Sequence, residues 1–451
     1  MSSGSSSLSW IQTFRSYLDK RLLWVFMLGC SSGFPWVLIG SNMSGWLKDA
    51  GLTRAAIGYF GSVFAVYAIN FLWAPLVDRV KLPVLHAIFG QRRSWIFFCQ
   101  SIVLIATLFI AGVNPANDLM FTSMLALGIA IASATQDIAI DAFRIDTFPK
   151  SEASKLPQAS AMAVVGWWTG YSLPGYLAFI NADAIGWNGV YYGMAGVVVV
   201  LMLFTLLVGE PKTEREQLQE QAQQRHNKVI DSKIVAWFSV TVIEPFYDFF
   251  KRNGVQVAIT LLLFVFLFKI GEAFLGRMSI TFYKEIGFSN EQIGHYSKLI
   301  GWGATIFFTL LGSIFNVKFG IVRGLMIGGI AMAGSNLMFA WIAKAGPSET
   351  LFLATIIVDN FTTAFSTVAF VSFLTLLTGQ AFSATQYALL ASLGNFGRTT
   401  LASFSGELVD YLNDWSLFFI ITALMVIPSL LMLYSLRHFF ARLLEEARQQ
   451  K

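Results

Sequence analysis

Charge is scarce in this 451-residue chain: Asp, Glu, Lys and Arg together make up 13% of it, about half the share in ordinary globular proteins. A soluble multi-domain enzyme needs more polar surface than that, and 55% apolar residues exclude a disordered chain. Cysteine is almost missing. Cys30 and Cys99 cannot build a disulfide framework or a Cys-rich zinc site. Four scattered histidines (His86, His226, His295, His438) argue against a His-based metal centre. No G-x-x-x-x-G-K-[ST] loop is present, so ATP-driven work has no support. No HExxH is present, and the G-x-S-x-G match at Gly29–Gly33 lies inside an apolar run and not in the strand-to-helix context that a hydrolase needs. What the chain has instead is 42 Phe, 37 Gly and 13 Trp, a load suited to lipid contact and close helix packing.

Apolar runs of about 20 residues recur along the chain, each long enough as a helix to cross roughly 30 Å of hydrocarbon. They predict twelve spans, near 22–46, 54–77, 94–113, 119–143, 157–180, 190–209, 255–278, 290–316, 322–344, 351–378, 385–409 and 416–436. The first contains Pro35 and lacks a small-residue cleavage site, so it reads as a retained helix and not a signal peptide. Residues 1–9, rich in Ser and Gly, read as a disordered tail. With the N-terminus in the cytoplasm, inside segments hold about 23 of the 31 Lys and Arg, and outside segments about 5. The net charge of +5 is therefore topogenic and marks no nucleic-acid partner. Both termini are expected on the cytoplasmic side.

The longest polar stretch divides the chain. The expected organisation is a cytoplasmic tail 1–21, a six-helix bundle 22–209, a charged linker 210–254, a second six-helix bundle 255–436 and a tail 437–451. Asp78-Arg79, then Gly90, Arg92 and Arg93, follow the second span; Lys318, Gly320 and Arg323 follow the eighth. This weak internal symmetry, in an all-α membrane protein of twelve helices in two bundles, resembles the major facilitator superfamily.

Charges inside a membrane are costly, so each is a candidate for function. The fourth span ends Ser133-Ala-Thr-Gln-Asp-Ile-Ala-Ile-Asp-Ala-Phe-Arg-Ile-Asp146. Asp137, Asp141 and Arg144 are spaced by four and three and form one stripe. Asp137 falls roughly 27 Å from Leu119, near the cytoplasmic end. Asp141, Arg144 and Asp146 fit a cytoplasmic gate with Asp78, Arg79, Arg92 and Arg93. For Asp137, gate residue and proton carrier both stand, since apolar surroundings favour a neutral carboxyl. In the second half, Lys269, Glu272, Asp359 and Arg398 fall near one depth. They could neutralise one another, Lys269 with Glu272 and Arg398 with Asp359, or line a polar cavity in which the two cations meet substrate carboxylates. Glu272 and Asp359 join Asp137 and Asp141 as coupling candidates. Gly29 with Gly33, and Gly166 with Gly170, are small-xxx-small pairs for close helix contact. Trp167, Trp168 and Tyr171 either pack or stack on a sugar ring, and Gln136 could bond amides. Gly33, Pro35, Pro174 and Gly175 are expected bending points. Without a nucleotide site or cofactor, energy must come from a gradient.

The stretches Ser133–Asp146, Ala381–Leu390 (AFSATQYALL) and Gly394–Arg398 (GNFGR), with Asn70–Arg79 (NFLWAPLVDR) and Gly90–Arg93, resemble the AmpG muropeptide permease family over about residues 20–436. The resemblance implies proton-driven import of anhydro-muropeptides across the bacterial inner membrane, for peptidoglycan recycling and β-lactamase induction. It carries the family's helix-four motif onto Gln136 and Asp137 and its helix-eleven arginine onto Arg398, with Asn395 beside it a further substrate-binding candidate. The expected partners are a small-molecule muropeptide, protons and membrane lipid, around a monomer. Two rival readings are an importer of another peptide-like acidic solute such as a siderophore, separable by competition uptake, and a muropeptide receptor that binds without accumulation. A lipid-modifying enzyme lacks a catalytic constellation.

Overall fold

An apolar run in hydrocarbon has only its own backbone to hydrogen-bond, so it closes into helix. The computed structural model describes residues 16–51, 60–115, 117–148, 150–211, 243–288, 292, 296, 300–379, 381–402, 404–436 and 439, and among these there is no strand. The predicted tail 1–9, most of the linker, His226, His295 and nearly all of the tail 437–451 lie outside the described residues, as does the side chain of Arg398.

The first half comprises α1 (Lys20–Val37), α2 (Ala74–Arg79), α3 (Gln91–Ala111), α4 (Leu119–Thr147) and α5 (Leu156–Leu207). Asp19 caps α1 by accepting from the Arg21 amide. Just beyond Pro35, α1 widens into a π turn at Leu38–Asn42 and runs on as Met43–Asp49. Short 3-10 turns at Gly61–Ala65 and Asn70–Leu72 lead into α2. The predicted fifth and sixth spans follow one another within α5, broken at Gly186, whose φ of 69° suits glycine.

The second half comprises α6 (Glu244–Asn253), α7 (Val255–Leu267), α8 (Ile270–Glu285), α9 (Gly301–Phe319), α10 (Ile321–Ala345), α11 (Glu349–Leu377), α12 (Ser383–Ala402), α13 (Trp415–Leu424) and α14 (Ile427–Ser435). α6 is a short amphipathic helix inside the stretch read from sequence as linker. Nine helical stretches among the described residues are long and apolar enough to cross a membrane.

The two small-xxx-small pairs meet each other. A Cβ on Gly29 would lie 2.7 Å from the Ala163 carbonyl oxygen, and one on Gly170 would overlap the Cys30 carbonyl. α1 and α5 therefore touch backbone to backbone. One apolar core, including Phe34, Val103, Ile129 and Val190, belongs to the first half. Another, with Phe282, Phe339, Phe352 and Phe419, belongs to the second. A third joins the halves, packing Leu22, Ile145, Phe148 and Leu156 with Phe264, Phe373, Leu377 and Leu390.

Candidate functional site

Between the halves lies a cavity of about 980 Å³, at the upper end for a small-molecule pocket. Its first-half wall is Trp36, Phe64, Tyr67, Asn70, Asp137 and Asp141; its second-half wall includes Glu272, Asp359, Thr363, Tyr387, Ser392 and Asn395. The four coupling candidates among the carboxylates thus line one cavity. α4 brings Asp137 and Asp141 to the same face by their spacing of four. Ser32 donates to Asp137 at 2.6 Å, and Ser335 to Asp359 at 3.2 Å. Ser392 donates to Asn70 at 3.1 Å across the gap.

The aromatic wall is not the one expected. Trp36 packs on Tyr67 with centroids 4.5 Å apart and on Phe64 at 4.8 Å. Trp167 lies behind it at 5.8 Å and stacks on Tyr171, with Trp168 edge-on to Trp167. None of Trp167, Trp168 and Tyr171 is among the cavity's lining residues. Trp36, Phe64 and Tyr67 were missed because nothing in an aromatic-rich chain marks which rings face inward. Trp36, next to the bend at Pro35, carried the one available hint.

Two other side chains also sit differently. Gln136 is buried and donates to the Ser31 carbonyl at 2.7 Å, tying α4 to α1. Lys269 is buried, donating to Glu272 at 2.8 Å and Thr367 at 2.7 Å. The Lys269–Glu272 pairing open at the sequence level is therefore formed, and Lys269 is not a lining residue.

A buried ionic cluster ties the two halves together. Arg92, fully buried, donates from Nε to Asp146 at 2.8 Å and from Nη2 to Asp78 at 2.9 Å. The same Nη2 donates to Ser383 at 2.7 Å, and Ser383 donates to Asp146 at 2.8 Å. Asp78 also accepts from the Ala384 amide (3.2 Å), the Thr385 amide (2.8 Å) and the Thr385 hydroxyl (2.7 Å). A carboxylate of the first half thus caps the N-terminus of α12 in the second, where backbone donors and the helix dipole favour negative charge. Arg144 donates to Thr375 (2.7 Å) and Asp141 (3.0 Å), with its guanidinium 5.0 Å over the Tyr387 ring.

The other two gate candidates are Arg93 and Arg79. Arg93 donates to the Thr205 and Leu206 carbonyls of its own half, and Arg79 is half-buried at the end of α2. Glu210, not foreseen, accepts from the Arg92 and Arg93 amides and so caps α3. Arg21 also binds Glu152 (2.7 Å) and Asp19 (2.8 Å), while the Tyr17 hydroxyl donates to Ser313 of α9 in the other half. The Arg21 hydrogen bond holds Glu152 down at about 2.

Two helical halves around one polar cavity, latched on one side, define a multi-pass membrane transporter and not an enzyme. Comparison with known proteins narrows this. Residues 25–294 match the Major Facilitator Superfamily. AmpG 4 of Rickettsia felis, a protein named as a transporter, is 35% identical over 92% of this chain and 96% of its own. The anhydromuropeptide permease of Escherichia coli K12 is 31% identical, over 94% of this chain and 81% of its own. Among solved structures, the proton:xylose symporter XylE superposes with a TM-score of 0.66 at 16% identity, covering 93% of this chain and 96% of that one. FucP in its outward conformation gives 0.60 at 13%, covering 93% and 99%. The chain belongs to the AmpG muropeptide permease family of the major facilitator superfamily.

Proposed function

We propose that the protein imports anhydro-muropeptides, N-acetylglucosaminyl-anhydro-N-acetylmuramyl peptides, from periplasm to cytoplasm together with protons. Peptidoglycan recycling and β-lactamase induction follow as its physiological setting, with both termini in the cytoplasm. The observation that carries this reading is the cavity itself, a large space lined by aromatic rings of the first half and by carboxylates and amides of both halves. Trp36 and Tyr67 suit the apolar face of a sugar ring. Asn70, Ser392 and Asn395 suit amide hydrogen bonds. The described walls offer carboxylates, so a peptide's ammonium groups suit Glu272 and Asp359, and protonation of an acid lets substrate carboxylates enter.

α4 links that chemistry to the latch. Asp137 and Asp146 are nine residues apart, roughly 14 Å along the helix, with Asp141 and Arg144 between them. Arg144 is shared by Asp141 on the cavity side and by Thr375 and Tyr387 of the other half. A proton arriving at Asp141 removes its hold on Arg144 and weakens the closed arrangement. Asp137 loads the proton and Asp141 transmits it.

The test is uptake of labelled anhydro-muropeptide into proteoliposomes under an imposed pH gradient. Asp137→Asn, a permanent mimic of the protonated acid, should retain binding and exchange and lose gradient-driven accumulation. Accumulation preserved in this variant would move coupling to Asp359 or Glu272. Binding without accumulation in the unaltered protein would favour a receptor.

A further inference from the structure

Beside Thr385 and Gln386, the amphipathic helix α6 and the spans α7 and α12 leave a groove of about 200 Å³ between them. Its walls are almost wholly apolar: Phe246 and Phe250 from α6, Leu262 from α7, and Leu389 and Leu393 from α12. Phe246 is 40% exposed, and the other four are half-buried, so the groove has an open lip. An apolar cavity of about 150 Å³ takes up benzene, so this one accommodates a short stretch of hydrocarbon. α7 begins a stretch long and apolar enough to cross a membrane, so the groove lies next to a membrane-spanning helix. Lys251, next in the chain to the groove residue Phe250, is exposed and lies 5.6 Å over the ring of Tyr247, and the exposed Arg252 pairs with Asp248 at 2.9 Å.

We infer that this groove holds an acyl chain of an anionic phospholipid, with its phosphate at Lys251, and that the bound lipid stabilises the latched state. Apolar walls beside a basic helix end fit that amphiphile, and attraction of such helices to anionic lipid grows with both features. The route to the latch is short. Gln386 of α12 donates to the Pro245 carbonyl at 2.8 Å and to Asp248 at 2.9 Å, and accepts from Arg252 at 2.9 Å. Arg252 also reaches the Leu377 carbonyl at the end of α11. α6 therefore grips α12 at the residue after Thr385, which binds Asp78. A chain filling the groove packs α6 and α12 as one body and keeps Ser383, Ala384 and Thr385 presented to Asp78 and Arg92. This inference is independent of what the cavity carries.

The test uses the full chain in nanodiscs of phosphatidylglycerol or phosphatidylcholine. Native mass spectrometry should find phosphatidylglycerol retained at least tenfold over phosphatidylcholine. Spin labels at Ile88→Cys and Arg323→Cys, one in each half, should report a larger latched fraction in phosphatidylglycerol. Leu389→Trp, which fills the groove, should abolish both preferences. Lys251→Glu, on the exposed surface and harmless to packing, should remove the preference for the anionic lipid and serves alone if Leu389→Trp misfolds. Equal retention of the two lipids, a latched fraction indifferent to lipid, or Lys251→Glu behaving as the unaltered protein would each overturn the inference.

Discussion

Asp78→Asn should shift the protein out of its latched state. Asp78 Oδ1 accepts from Arg92 and the Ala384 amide, and Oδ2 from the Thr385 amide and hydroxyl. Asparagine keeps the shape but replaces one acceptor with an NH2 group. Placed at Oδ1, that group faces the Arg92 guanidinium. Placed at Oδ2, it faces the Thr385 amide, although the hydroxyl can turn to accept. The second arrangement is better and still leaves a buried backbone donor unsatisfied, which costs about 1–3 kcal/mol. Loss of the charge weakens the remaining bonds, each worth about 1.5–3 kcal/mol to an ionised partner. Taking about 3 kcal/mol in all, the equilibrium between latched and open forms moves by about two powers of ten. Three of the four bonds cross between the halves, so the cost falls on the latched arrangement.

Double electron–electron resonance between labels at Ile88 and Arg323, in a background without Cys30 and Cys99, measures this directly. Asp78→Asn should move the dominant distance to longer values while the melting temperature changes little. Arg92→Met should behave differently. It strands Asp78 and Asp146 in one half, a loss of about 3–5 kcal/mol, and should lower thermal stability as well. An unchanged distance distribution in Asp78→Asn would refute the assignment of this cluster as the latch.

Gly170→Ala should lower the melting temperature, because its Cβ overlaps the Cys30 carbonyl and forces α1 from α5, an overpacking cost of about 1–3 kcal/mol. Gly128→Ala, with nothing within 4 Å of the added carbon, is the control, and an equal loss there would refute the close contact. The Asp19–Arg21–Glu152 clamp should respond to acid. Both carboxyls are held below their ordinary range by hydrogen bonds from Arg21, so their contribution is whole above about pH 4 and is lost as pH falls towards 2. Amide exchange of residues 16–22 should stay protected from pH 7 to 4 and rise below it; a rise already between pH 7 and 5 would contradict the clamp.

What the sequence determined by itself is what length and local spacing control. Apolar runs long enough to span hydrocarbon fix the helices, because no other backbone arrangement satisfies its polar groups there. A spacing of four sets Asp137 and Asp141 on one face, and a spacing of three lets Lys269 reach Glu272, since neighbours on a helix meet whatever the fold. Tertiary structure decided everything that joins residues far apart. Arg92 meets Asp78, Asp146 and Ser383 across 14, 54 and 291 positions, and no local pattern selects Arg92 over Arg79 or Arg93 for those partners. Side-chain direction at the cavity was equally hidden. Whether Trp36 or Trp168 faces the cavity depends on how α1 turns past Pro35 and how closely Gly29 and Gly33 let it approach α5, and helix rotation is set by packing against neighbours.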